Sequence, residues 1–68
     1  MVAIKTKYIK LSQFMKFAGI VNTGGEAKIL LSEADITVNG EAENRPGRKL
    51  YPNDVVIIDG RKYVIEWL

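Results

Sequence analysis

A chain of 68 residues, 47% of them hydrophobic, makes one small domain whose stability rests on a single compact core, with about 60% of the unfolded surface buried and disorder argued against. It contains no cysteine and no histidine, which removes disulfides, thiolate metal sites and the usual general base near neutral pH. The net charge of +2 hides a segregation: Lys5, Lys7, Lys10 and Lys16 face no acid in residues 1–25, Glu26, Glu33, Asp35, Glu41 and Glu43 outweigh Lys28 in 26–44, and Arg45, Arg48 and Lys49 follow together.

In chain order, Val2-Ala3-Ile4-Lys5 and Tyr8-Ile9 predict a short extended N-terminal segment able to pair at a sheet edge. Leu11, Phe14, Met15 and Ala18 follow the i, i+3, i+4, i+7 rule of a two-turn helix with one stripe toward the core. Ser12 is expected to cap its start and Gly19 to end it in the left-handed conformation. Phe17 lies at the margin of the stripe and reads as a core flank rather than a stacking platform.

Thr23-Gly24-Gly25-Glu26 is a capping box, in which the two side chains each satisfy a backbone amide of the other residue, and it opens a second helix. Ala27, Leu30, Leu31 and Ala34 form its buried stripe, with Lys28 on the exposed shoulder. Ile29 points away from the stripe, and cover by the N-terminal strand is expected for it rather than a role as a partner contact.

From Ile36 the period becomes two: Ile36 and Val38 inward, Thr37 outward, then Asn39-Gly40 supplying the positive φ values of a type I′ turn. Glu41-Ala42-Glu43 reads as a weak acidic edge strand, Arg45-Pro46-Gly47-Arg48-Lys49 as a loop, and Leu50-Tyr51-Pro52-Asn53-Asp54 as a turn with Asn53 left-handed. Val55–Ile58 and Tyr63–Trp67 are the strongest strands, joined through Asp59-Gly60, with Tyr63 and Trp67 expected in core or edge packing. The whole is α+β: two short helices on a small antiparallel sheet with an N-terminal extended strand, one domain over residues 1–68.

Catalysis has little support. Glu41, Glu43, Asp54 and Asp59 are expected at strand edges and turns, where solvation keeps carboxylates ionised and ordinary, and Ser12 and Ser32 occupy helical positions with no base beside them. No spacing of oxygen ligands matches a metal loop, so neither cofactor nor metal is expected. Gly24-Gly25 lacks the spacing of a phosphate loop; the bare amides of a helix start can still attract an anion, and the sequence leaves that role and a mere tight inter-helix turn equally open. Lys10, Lys16, Lys28, Arg45, Arg48 and Lys49 could line one concave cationic face if the helices pack side by side, a surface that neutralises phosphates. Arg48 could fork onto a phosphate or stack on a base, and Tyr51 is the aromatic near that loop.

Lys10-Leu11-Ser12-Gln13-Phe14-Met15, then Thr23 to Leu31, Ile36-Thr37-Val38-Asn39-Gly40, Arg45-Pro46 and Leu50 to Val56 together resemble the S-four (S4) domain, named after small-subunit ribosomal protein four. The Gly-Gly-x-Ala-Lys variant is similar to its small standalone bacterial members of the YaaA/YbcJ type. The resemblance, over roughly residues 10–58, implies the alpha-L fold and RNA binding through the two helices and adjacent loop. It places Lys10 where the family starts its first helix with arginine, Lys28 at a basic position of the second, and Arg45 and Lys49 in the basic loop, to which Arg48 adds one more. Thr23-Gly24 stands where the family has Ser-Arg.

The expectation is therefore a non-catalytic module that binds structured RNA, rRNA or tRNA, in ribosome assembly or translation, through Lys10, Lys16, Thr23, Gly24, Gly25, Lys28, Arg45, Arg48 and Lys49. Ribosomal particles are further expected partners, and a monomer the expected state. The alternatives are a protein-interaction adaptor using an exposed edge strand or Ile29, and a DNA binder. No apolar stretch approaches the ~20 residues of a membrane span, and residues 1–15 lack a signal peptide's apolar run, which points to a soluble cytoplasmic protein.

Overall fold

The computed structural model describes residues 2–4 and 7–67, with residues 2–4 and Trp67 described by backbone alone. The expectations for Lys5 and for the packing of Trp67 fall outside the described residues. Along the chain lie β1 (Val2–Ile4), β2 (Ile9–Lys10), α1 (Leu11–Phe17), α2 (Gly24–Glu33), β3 (Ile36–Val38), β4 (Glu41–Ala42), β5 (Lys49–Leu50), β6 (Val55–Ile58) and β7 (Arg61–Trp67). Five strands form a sheet in the order β1-β7-β6-β3-β4, while β2 and β5 pair separately. This is the expected α+β arrangement. All pairs are antiparallel except β1–β7, where the N-terminal strand joins the edge in parallel. Tyr8-Ile9 is not part of β1; Ile9-Lys10 forms β2 in the separate pair with β5.

Alternation along the strands decides what the sheet buries. Ile36 stands opposite Ile58 and Val38 opposite Val56, and all four are buried, as is Ile65. Against them pack Leu11, Phe14 and Met15 from α1 and Ala27 and Leu31 from α2. Phe14 meets Tyr63 edge-on, with ring centroids 5.4 Å apart and planes at 76°, the arrangement that aromatic quadrupoles favour. Tyr63 thereby ties α1 to β7, as its reading as a packing residue implies.

Helix α1 departs from expectation at its start. Lys10, not Ser12, is the N-cap residue, and Ser12 lies inside the first turn. The amides that need partners find them across the chain: Leu11 N–H donates to the Arg48 carbonyl at 2.8 Å and Ser12 N–H to the Pro46 carbonyl at 3.0 Å. Gln13 Oε1 also accepts from Lys10 N–H at 3.0 Å. A distant loop thus supplies the cap that a local side chain usually does. The other end behaves as expected. Gly19 takes φ +74°, Ile20 N–H reaches the Met15 carbonyl and Gly19 N–H the Lys16 carbonyl, the two bonds of a Schellman ending.

In α2, Thr23 Oγ1 accepts from Glu26 N–H at 3.1 Å as the capping box requires. The return bond is displaced: Glu26 Oε1 accepts from Asn22 N–H at 3.3 Å rather than from Thr23. Two apolar side chains expected to be covered are not. Phe17 is 73% and Ile29 59% exposed. At about 100° per residue, Phe17 lies about 110° from the centre of its helix's apolar stripe and Ile29 further still from its own, while β1 is engaged at the sheet edge beside β7 and leaves Ile29 uncovered.

The three turns form as their residues dictate. Asn39 and Gly40 have φ of 52° and 84°, Asp59 and Gly60 of 48° and 86°, both type I′ hairpins. Asn53 has φ 77° after Pro52, and Asp54 N–H closes that turn on the Tyr51 carbonyl at 3.0 Å.

Candidate nucleic-acid interface

The β2–β5 pair is only two residues long on each side, but its register organises the basic segment. Ile9 lies opposite Leu50 and Lys10 opposite Lys49. Ile9 and Leu50 are buried, while Lys10 and Lys49 are exposed. The period of two therefore sends the apolar pair inward and the two lysines outward on one face. The positions flanking the pair on that same face are Tyr8 and Tyr51, whose ring centroids are 6.0 Å apart with planes at 50°. Lys49 Nζ sits 4.9 Å from the Tyr8 ring centroid, within cation–π range.

Beside this ribbon the loop 45–48 is fixed by a buried carboxylate. Glu43, expected as an ordinary solvated edge residue, is 8% exposed. Its Oε2 accepts from Arg45 Nε at 2.9 Å and its Oε1 from Arg45 Nη2 at 3.0 Å. Arg48 Nη1 donates to the same Oε1 at 2.7 Å, and the amides of Asn44 and Arg45 donate to Oε2. The Arg45 side-chain hydrogen bond is the main cause that holds the Glu43 carboxyl down at about 2, with Arg48 and the Arg45 amide assisting against the opposing effect of burial. Arg45 is correspondingly pushed up by Glu43. Arg48 N–H closes the turn on the Arg45 carbonyl at 3.2 Å, so the loop is a clamped turn and not the flexible segment its glycine suggests.

Two guanidiniums against one carboxylate leave a net positive charge. A guanidinium has five N–H donors; Arg45 commits two of them to Glu43 and Arg48 one, so both retain donors for an anion. The Arg45 side chain is 71% exposed and that of Arg48 28%. An open groove is lined by Arg45, Gly47, Arg48, Lys49, Tyr51 and Asp54. Asp54 is the acid on its wall; its Oδ1 accepts from Asn39 Nδ2 at 3.1 Å and its Oδ2 from Tyr51 N–H at 2.8 Å, which makes it part of the turn framework.

Of the residues expected to bind, the fold brings Lys10, Arg45, Arg48 and Lys49 together, through the β2–β5 register and through the α1 amides bonded to the loop carbonyls. Lys16 is exposed at the last turn of α1, and Lys28 is exposed on α2. Thr23, Gly24 and Gly25 form the start of α2; among the described residues no hydrogen bond or ion pair joins them, Lys16 or Lys28 to the ribbon. Tyr8 and Glu43 are the residues sequence reasoning missed. A signal for Tyr8 was present: Tyr8-Ile9-Lys10 and Lys49-Leu50-Tyr51 are mirror images, the pattern that lets an antiparallel pair set like residues opposite like. For Glu43 the partners Arg45 and Arg48 stand two and five residues on, but that spacing is no recognised cap or turn pattern and nothing in it announces burial. Among the described residues no cluster of three or more acidic side chains could hold a metal ion, and no helix is long and apolar enough to cross a membrane.

The family model described as the S4 domain matches residues 2–66. The chain is also 51% identical over 59 residues to a protein of Bacillus subtilis (strain 168) named probable ribosome maturation protein RlbA, a match covering 87% of this chain and 83% of that protein. No solved structure matches.

Proposed function

The chain belongs to the S4-domain family, and from that premise we propose that it is a non-catalytic RNA-binding module acting on structured RNA during ribosome maturation. The observation that carries this reading is the exposed pair Lys10 and Lys49, directly opposite one another beside the Arg45–Glu43–Arg48 cluster. Like charges set face to face destabilise a strand pair; a polyanion relieves that repulsion and, separately, gains free energy from the counterions it releases. Lys16 and Lys28, exposed on the two helices, and the Thr23-Gly24-Gly25 start of α2 are the further candidate contacts in this reading. Ribosomal RNA is the RNA favoured by the name of the Bacillus relative, with tRNA as the other structured candidate.

The test uses a folded ribosomal RNA fragment and the triple variant Lys10→Ala, Lys28→Ala, Lys49→Ala. Arg45 and Arg48 are left in place because they hold Glu43. Affinity should fall, and the dependence of log K on log salt should flatten by up to ~0.7–0.9 for each phosphate no longer neutralised. Unchanged affinity and slope would reject the face. Competition by duplex DNA that displaces the RNA would favour a DNA binder, since A-form shape and 2′-hydroxyls separate the two.

The exposure of Phe17 and Ile29 favours a second reading, a protein-interaction adaptor. Partners in a pull-down that survive nuclease treatment would support it.

A further inference from the structure

Resting on the RNA-binding reading, we propose that the outward face of the β2–β5 ribbon is a stacking seat for one unpaired base of the bound RNA. Tyr51 forms its platform and Tyr8 its support. Tyr51 is 44% exposed on the face whose opposite side, Ile9 and Leu50, is packed into the core. Its backbone is held at two points by one residue: Tyr51 N–H donates to Asp54 Oδ2 at 2.8 Å and its carbonyl accepts from Asp54 N–H at 3.0 Å. The Tyr8 ring lies 6.0 Å away, and Lys49 Nζ lies over Tyr8. A ring placed in this way loses little conformational freedom when a flat ligand settles on it.

The surroundings select the ligand. Tyr51 and Lys49 line the same groove as Arg45 and Arg48, so an aromatic platform and phosphate-binding cations meet at one place. A duplex stem offers phosphates to the cations but, along its length, nothing to the tyrosines, because its interior bases are covered on both faces. A nucleotide in a loop, bulge or overhang offers both, and every base has a π-face to stack. The seat therefore reads single-strandedness rather than sequence, beside cations that read the backbone.

Two loop-free RNA duplexes of the same sequence, each annealed from two strands, test this, one blunt at both ends and one carrying a short single-stranded tail with 2-aminopurine in it. Wild-type protein should bind the tailed RNA more tightly and quench the 2-aminopurine fluorescence on binding. Tyr51→Ala should abolish the quenching and weaken the tailed RNA by ~5- to 100-fold. It should leave affinity for the blunt stem and the salt slope unchanged, because every cation that meets a phosphate is still in place. Tyr51→Phe, which keeps the ring, should restore both signals. Equal wild-type affinity for the two RNAs without quenching, or a Tyr51→Ala variant indistinguishable from wild type on the tailed RNA, would overturn the seat and leave the cationic face standing. Failure of the wild-type protein to bind either RNA would overturn both.

Discussion

Lys10 and Lys49 face each other across the β2–β5 pair, two exposed ammonium groups in the register position where side chains come closest. Such an arrangement lowers the stability of an antiparallel pair, and Lys10 adds a positive charge at the start of α1, where the helix dipole disfavours it. Lys10→Glu reverses both effects. Stability measured by urea denaturation should rise by roughly 0.2–1 kcal/mol, while affinity for the ribosomal RNA fragment falls and its salt slope flattens. A variant that is less stable and binds RNA as before would show that the opposed lysines do not serve a polyanion.

Glu43 makes stability depend on acid. Its carboxyl is held at about 2 in the folded chain against an ordinary 4.5, so its contribution is fully present above about pH 4.5 and is lost as pH falls through 2. Glu43→Gln removes this dependence. At pH 7 the variant should be less stable by ~1–3 kcal/mol, because one of the two acceptor oxygens becomes an NH2 donor and the negative charge facing the two guanidiniums is lost, although Arg45 regains water at once from its exposed position. Below pH 3 the wild-type and variant thermal midpoints should converge. A constant gap from pH 7 to pH 2 would exclude the clamp.

Helix ends and turns were legible in the sequence because their partners lie within a few residues: Thr23 with Glu26, Gly19 with its own φ, Asn39-Gly40 and Asp59-Gly60 with theirs. The core stripes were legible for the same reason, since periodicity is local. Legibility failed where the partner was distant. Ser12 could be ruled out as a cap only by knowing that Pro46 and Arg48 present carbonyls to the first turn. Glu43 failed for another reason: Arg45 and Arg48 lie only two and five residues on, but an acid followed by bases at that spacing has no periodic or capping signature and reads as one more edge acid. The β2–β5 ribbon is too short to show a period at all, and its mirror-image residues gain meaning only once paired. For the candidate site this means that the basic residues could be named as candidates from the sequence, while the framework that orients them could not.

Phe17 tests the exposure directly. As a core flank, its truncation would open a cavity and cost about 3–5 kcal/mol. At 73% exposure, Phe17→Ser should change the free energy of unfolding by less than about 0.5 kcal/mol. If RNA binding is also unchanged while a protein partner disappears from nuclease-treated pull-downs, Phe17 belongs to a protein interface.

Asn39 links the β3–β4 turn to the Tyr51 turn. Its Nδ2 donates to Asp54 Oδ1 at 3.1 Å while its Oδ1 accepts from Val55 N–H at 2.9 Å. Asn39→Asp keeps the acceptor, and aspartate tolerates the positive φ nearly as well, but a second carboxylate oxygen then faces Asp54. Two carboxylates at that separation cannot both ionise without cost, so the pKa of the pair rises. A raised carboxyl pKa gives stability that is retained at low pH and lost as pH rises through it. Relative to wild type, the variant should therefore be destabilised by ~1–2 kcal/mol at pH 7 and recover part of that loss by pH 3.5. Taking the difference cancels the Glu43 contribution common to both. Because Asp54 also holds the Tyr51 amide, the same variant should weaken quenching of the tailed RNA at pH 7; full quenching with the expected instability would separate the turn framework from the stacking seat.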